Sequence, residues 1–212
     1  MLEAQYFVVT DTTCQGGEVG RRRAFDYDEA IARATRLFWA TGYTNTSLRD
    51  LLEAMQIGEG SFYNSVRSKK NLYLQCLRHY NDTITRRRWE ALLAESSIAE
   101  GLRAYFAAVL DDLDDPALPS ICLMAASLST DVLAVEDLRT YVVSEVQTLQ
   151  TALTGRLQDA VNTGQLPTDF DAETAAQIVV TYLQGIFRVA RVLTDRPQLE
   201  RQIEVLLTGL GL

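Results

Sequence analysis

The 212-residue sequence contains one histidine, His79, and three cysteines, Cys14, Cys76 and Cys122. A single imidazole leaves most His-based metal sites without enough ligands and argues against a Ser-His-Asp triad. An odd number of widely spaced cysteines makes neither a disulfide framework nor a zinc pattern. They read as reduced thiols, and the expected compartment is cytoplasmic. No cofactor and no metal site is expected. Four prolines and twelve glycines are too few for long disordered or fibrous stretches. No apolar run approaches the ~18 residues that a spanning helix needs, so no membrane partner is expected. Residues 1–20 hold Glu3, Asp11 and Glu18 and no basic stretch ahead of an apolar one, which is not the pattern of a signal peptide. Positive charge is also short. Acidic residues number 28 against 20 basic, a net −8, and taken whole this argues against binding nucleic acid.

The charge is not evenly spread. Between Gly20 and Glu90 there are thirteen basic and eight acidic residues, a net +5, which leaves −13 for the remainder. A basic N-terminal segment joined to an acidic body is the footprint of a nucleic-acid module attached to a regulatory one.

Helical periodicity covers nearly everything beyond the first twenty residues. Asp26 and Glu29 form a capping arrangement ahead of Ala30, Ile31, Ala34, Leu37 and Phe38, and Gly42 supplies the stop. Thr46-Ser47 can cap a second helix carrying Leu48, Leu51, Leu52 and Met55. A short third helix over Glu59–Val66 follows the break at Gln56–Gly58. Ser68 opens a fourth, with Leu72, Tyr73, Cys76, Leu77 and Tyr80 on one face, and this can run on to Leu93. Further helices are expected over Ile98–Leu113, Ile121–Val132 (apolar nearly all round, hence a central buried helix), Glu136–Asn162, Asp171–Leu193 and Pro197–Leu207. The expected fold is all-α with about nine helices. An arm over residues 1–22 would precede a three-helix domain over 23–73 and a larger helical domain over 74–212.

Two helices joined by a short turn containing glycine make a helix-turn-helix, and Ser47–Met55, Gln56–Gly58 and Glu59–Val66 have that layout. The second helix is short and polar, suited to a major groove while the first crosses the backbone. Ser61, Asn64 and Ser65 are candidates for bases or phosphates, and the Tyr63 hydroxyl is long enough to reach a phosphate. Lys69 begins the next helix, where its charge and the helix N-terminus both favour an anion. Arg21, Arg22 and Arg23 would form a basic arm that follows phosphates or enters the minor groove.

These residues resemble the DNA-binding region of the TetR/AcrR family of bacterial transcriptional regulators. The likeness is carried by Gly42-Tyr43, Thr46-Ser47-Leu48-Arg49-Asp50-Leu51, Gly60-Ser61-Phe62-Tyr63-Asn64 and Ser68-Lys69-Lys70-Asn71-Leu72. The family's recognition-helix tyrosine falls on Tyr63 and its preceding glycine on Gly60. The resemblance implies phosphate or base contacts from Thr46, Ser61, Tyr63 and Lys69, and Ser47, Phe62 and Asn64 beside them complete the candidate DNA-binding residues. Three positions depart from the pattern: Leu52 replaces the usual alanine, Gln56 the turn glycine and Val66 an aromatic.

The resemblance further implies a body that binds a small-molecule effector and a homodimer built through the last two long helices, reading a pseudo-palindromic double-stranded operator. The residues agree in part. Ile178, Val179, Tyr182, Leu183, Ile186 and Phe187 form a wide apolar stripe, Gly185 would allow close helix approach, and Val205 adds to an apolar end. The dimer candidates are therefore Ile178, Val179, Tyr182, Gly185, Ile186 and Val205. Trp89, Tyr105, Phe106, Cys122, Met124, Tyr141, Tyr182 and Phe187 are candidates for an effector cavity. Ile121-Cys122-Leu123 resembles a "G-C-L" segment found in a subgroup of the family, and Cys122 near a helix start reads either as an electrophile-sensing thiol or as a small buried hydrophobe. Arg86-Arg87-Arg88 reads as a solvated face and Asp111, Asp112, Asp114 and Asp115 as a solvated loop. The expected function is a DNA-binding regulator, a repressor released by its effector, and not an enzyme. The competing reading is an all-helical ligand-binding or scaffolding protein that has lost DNA binding.

Overall fold

The structure, a computed structural model, describes residues 26–190, 192 and 195–212. Arg21, Arg22 and Arg23 lie outside the described residues. Eleven α-helices follow in order: α1 (Tyr27–Thr41), α2 (Leu48–Met55), α3 (Glu59–Val66), α4 (Lys69–Tyr80), α5 (Arg86–Ala94), α6 (Ile98–Asp114), α7 (Leu123–Ala126), α8 (Thr130–Leu133), α9 (Glu136–Asn162), α10 (Ala172–Val189) and α11 (Arg196–Gly209). Among the described residues there is no strand. None of these helices is long and apolar enough to cross a membrane.

The caps explain the boundaries. The Asp26 carboxylate accepts from the amides of Asp28 and Glu29, and Gly42 ends α1 at φ 83° with its amide on the Phe38 carbonyl. Ser47 and Asp50 cap α2 reciprocally, and these bonds hold the Asp50 carboxyl below its usual range. Ser68 caps α4 through the Asn71 amide, and Asp171 caps α10 through the Thr174 amide.

α1 packs on α2 and α4, α5 on α6, and α9 on α10. Between α4 and α5 the chain stays helical but widens to a π-turn over Asn81–Thr85, so the two form one rod with an extra residue inserted. Asn81 in that turn donates to Glu145 Oε2 at 2.7 Å and to the Tyr141 hydroxyl at 3.3 Å, which pins the insertion to α9. At Gly101 a methyl group would meet the Leu92 carbonyl oxygen at 2.7 Å; this glycine is what lets α5 and α6 approach so closely.

One expected element is corrected. Ile121–Val132 is not a single buried helix. It forms two one-turn helices, α7 and α8, separated by Ser127–Ser129. The break lies where the Ser127 amide closes the first turn on the Leu123 and Met124 carbonyls and Ser129 takes an extended backbone conformation (φ −91°, ψ 154°). Ser127 donates to the Leu123 carbonyl at 2.8 Å, and Ser129 serves as the N-cap residue of α8.

Candidate DNA interface and effector site

The turn between α2 and α3 is made by Gln56, which takes the left-handed conformation (φ 56°, ψ 43°) that usually selects glycine. Its amide returns to the Glu53 carbonyl at 3.1 Å, and the Ile57 amide to Leu52 at 3.1 Å. α3 is then anchored by two side chains, Phe62 and Val66, each about 1% exposed. Val66 fills the position where an aromatic was the pattern.

The opposite side of α3 presents Ser61, Tyr63, Asn64 and Ser65, all exposed, with Tyr63 at 49%. Gly60 lies beside them, and a methyl group there would meet nothing within 4 Å. Glycine weakens a helix by ~1 kcal/mol relative to alanine, and no neighbour among the described residues requires it here. Ser47 is exposed at the start of α2. Lys69, at the first position of α4, lies 4.8 Å over the Tyr43 ring with Nζ 3.4 Å from the Thr44 carbonyl. Burial against that ring lowers its pKa, and Asp131 partly opposes the shift.

Two of the sequence candidates belong to the packing. Phe62 points inward as the anchor of α3. Thr46 is 1% exposed, with its hydroxyl donating to the Gly42 carbonyl at 2.6 Å and meeting Thr41 Oγ1 at 2.6 Å. Both hold the local backbone in place and present no atoms at the exposed face of α3.

The eight effector candidates lie in different surroundings among the described residues. Trp89, Tyr105, Phe106, Cys122 and Phe187 are buried, and Met124 is half-buried on α7. Tyr141 sits instead in a cleft of about 350 Å³ between α4 and α9, with Arg78, Glu136 and Asp137. Tyr182 lines an outer groove of about 490 Å³ with Gln198, Arg201, Gln202, Val205 and Leu206 of α11.

The buried group has members that helical periodicity hid. Arg88 is 3% exposed and Asp112 4%, so neither belongs to a solvated face or loop. Arg88 Nε donates to Asp112 Oδ2 at 2.6 Å, and Arg87 reaches the same carboxylate from outside. The Arg88 guanidinium lies 5.2 Å from the Phe187 ring and 6.0 Å from that of Tyr80. Burial alone would lower its pKa, but Tyr80, Cys122, Asp112 and Tyr105 around it raise it, so it stays cationic. Burial pushes Tyr105 up to about 12 and Tyr80 well above its ordinary value. The signal available in the sequence was an Arg-Arg-Arg run on a helix, where one residue in three or four must face inward. Cys76, the other described thiol, is packed under α1, and burial raises its pKa to about 12.

The segment from Ile121 to Asp137 carries this site and also touches the N-terminal helices at four places. The Trp39 indole N–H donates to the Ile121 carbonyl, and Tyr73 and Ser127 share a hydroxyl bond at 2.8 Å. Thr44 donates to Asp131 at 2.5 Å, and Lys70 pairs with Asp137. Ser129 and Thr44 together hold the Asp131 carboxyl below its usual range.

On α10 the expected stripe divides. Val179 and Ile186 are buried within the chain together with Val180, Leu183 and Phe187, so they are corrected from seam to core. The outward line is Ile178, Tyr182, Gly185 and Val189, at the 4-3-4 spacing of one helix face. A methyl group on Gly185 would meet nothing within the chain, and Val205 of α11 is 75% exposed nearby on the Tyr182 groove.

Residues 30–76 match the family model described as bacterial regulatory proteins of the tetR family, and residues 99–206 match the tetracyclin repressor-like C-terminal domain. The chain belongs to the TetR family of transcriptional regulators. The transcriptional repressor ComR of Escherichia coli is 29% identical over 97% of this chain and 97% of its own. The uncharacterised regulator YezE of Bacillus subtilis is 27% identical over 91% of this chain and 100% of its own. A cysteine-substituted variant of the regulator CifR, solved with 26-base-pair operator DNA, is 30% identical, covers 89% of this chain and 98% of its own, and superposes with a TM-score of 0.82. Family membership and this fold make the chain a DNA-binding regulator in which α2 and α3 form the helix-turn-helix.

Proposed function

We propose that this regulator works in the cytoplasm as a homodimeric repressor and not as an enzyme. Each subunit places α3 in a major groove of a pseudo-palindromic operator. The observation that carries the reading is the α3 surface: four exposed polar side chains beside Gly60, a helical glycine with open space before it. Operator DNA named with CifR supports the partner. Ser61, Tyr63 and Asn64 are the proposed base and phosphate contacts, with Ser47 and Lys69 at the two helix N-termini on phosphates. The dimer seam is the outward line of α10 with Val205 of α11. A two-fold reader needs it to set its recognition helices one helical turn apart.

The effector reaches the buried site around Cys122. Its thiol lies in the segment that touches the N-terminal helices through Ile121, Ser127, Asp131 and Asp137, so an adduct there displaces the contacts that hold α1, α4 and the α1–α2 turn. The expected coupling is of order ~1–3 kcal/mol between effector and operator. The test is release of preformed operator complex by a thiol-reactive electrophile. Wild-type protein should release DNA and Cys122→Ser should stay bound. Equal release of both proteins contradicts the assignment of Cys122.

A further inference from the structure

Tyr80 carries a buried hydroxyl that is left without a hydrogen bond among the described residues. The residue is 0% exposed, and its hydroxyl makes no hydrogen bond. Cys122 is near enough to interact with it directly, though short of hydrogen-bond geometry, and Arg88 and Asp112 act on it electrostatically. Its ring is fixed edge-on by Trp39 at 4.9 Å, the same indole whose N–H holds the Ile121 carbonyl next to Cys122. Phenylalanine would fill this space equally well. A buried donor left unsatisfied costs stability, and one kept in a native chain calls for an explanation, of which a role in chemistry at the site is one. The Arg88 charge stands over the same ring, so any negative charge forming between Tyr80 and Cys122 meets both a donor and a cation in a water-poor site.

We propose that Tyr80 is the specificity-determining residue of the Cys122 site. Its hydroxyl donates to the oxygen of an α,β-unsaturated carbonyl compound while Cys122 adds to the β-carbon. The inference rests on the reading of Cys122 as the reacting thiol. In the addition a sulfur–carbon bond forms as the carbon–carbon π bond breaks. The electron pair moves onto the carbonyl oxygen, where Tyr80 holds it. The proton given up by the thiol then completes the α-carbon. Nothing else is consumed. An electrophile that develops no oxyanion gains nothing from Tyr80.

The test compares two uncharged reagents on the full-length protein, 2-cyclohexen-1-one and allyl bromide, with adduct formation at Cys122 followed by peptide mass spectrometry. Both reagents need the thiolate, and only the first needs a donor for oxygen. Tyr80→Phe should slow the enone about tenfold or more and change the allyl bromide rate by less than about twofold. The variant should also melt at or above the wild-type temperature, because it loses an unpaired hydroxyl. A second measurement uses wild-type protein only. The enone-to-allyl-bromide rate ratio at Cys122 should exceed the ratio for N-acetylcysteine by about tenfold. Equal slowing of both reagents, no slowing of the enone, a lower melting temperature, or a ratio equal to that of N-acetylcysteine overturns the role of Tyr80 while leaving Cys122 as the reacting thiol. No adduct at Cys122 with either reagent overturns the reading of Cys122, and the proposal with it.

Discussion

Arg88 and Asp112 show how far one pair of residues decides the body. Both are buried, and the bond between them is short and well aimed. Removing one partner strands a charge without water. Asp112→Ala should therefore cost ~3–5 kcal/mol in a denaturant titration. Arg87→Ala, which removes only the outer and more exposed contact to the same carboxylate, should cost under ~1 kcal/mol. Glu145 makes a second prediction. Burial raises its pKa, against the opposing effects of Tyr141 and Arg78. A carboxyl whose folded pKa is raised adds stability below its ordinary range and loses that contribution as pH climbs through the folded value. Glu145→Gln keeps an acceptor for Asn81 and has nothing to ionise. Its melting temperature should exceed wild type at pH 8, and the gap should narrow toward pH 4.

The elements that read DNA were visible early because their signals are local. Asp26, Ser47 and Ser68 cap where such residues should, and Gly42 ends α1. α3 was legible for the same reason, although Phe62, a candidate DNA contact by its place in the motif, is turned into the core by the helix period. Gly60 gives the test at this scale. Gly60→Ala should stabilise the free protein by about 0.5–1 kcal/mol, since the methyl meets open space, and weaken operator binding at least tenfold. If binding is unchanged, the glycine is not there for a close approach. Gln56 carries left-handed strain at the turn, so Gln56→Gly should raise stability by ~0.5–1 kcal/mol in a thermal melt. Ile121–Val132 was misread because composition says only that a stretch is buried. Whether it is one helix or two single turns depends on the extended backbone at Ser129, which composition does not reveal.

At the scale of the whole molecule, the sign of the charge follows the division of labour. The segment from Gly20 to Glu90 is net positive and the rest strongly negative, so the body is repelled by the duplex that α3 approaches. Charge order and the all-helical class could be read in advance, whereas the count of about nine helices fell short of the eleven described. The sorting of α10 into core and seam could not, because Val179 and Ile178 are both apolar and only packing against α9 tells them apart. Gly185→Leu should leave the folded chain intact and shift the dimer toward monomer in sedimentation velocity, since its side chain would fill the approach space of the partner helix. The most direct test of the account is a titration of the dimer against its own upstream DNA and a scrambled duplex at several salt concentrations. Upstream DNA should bind at least ~10³ times more tightly than scrambled DNA, and Tyr63→Ala should remove most of that difference. Equal affinity for the two duplexes would contradict the assignment of α3 as the operator-reading helix.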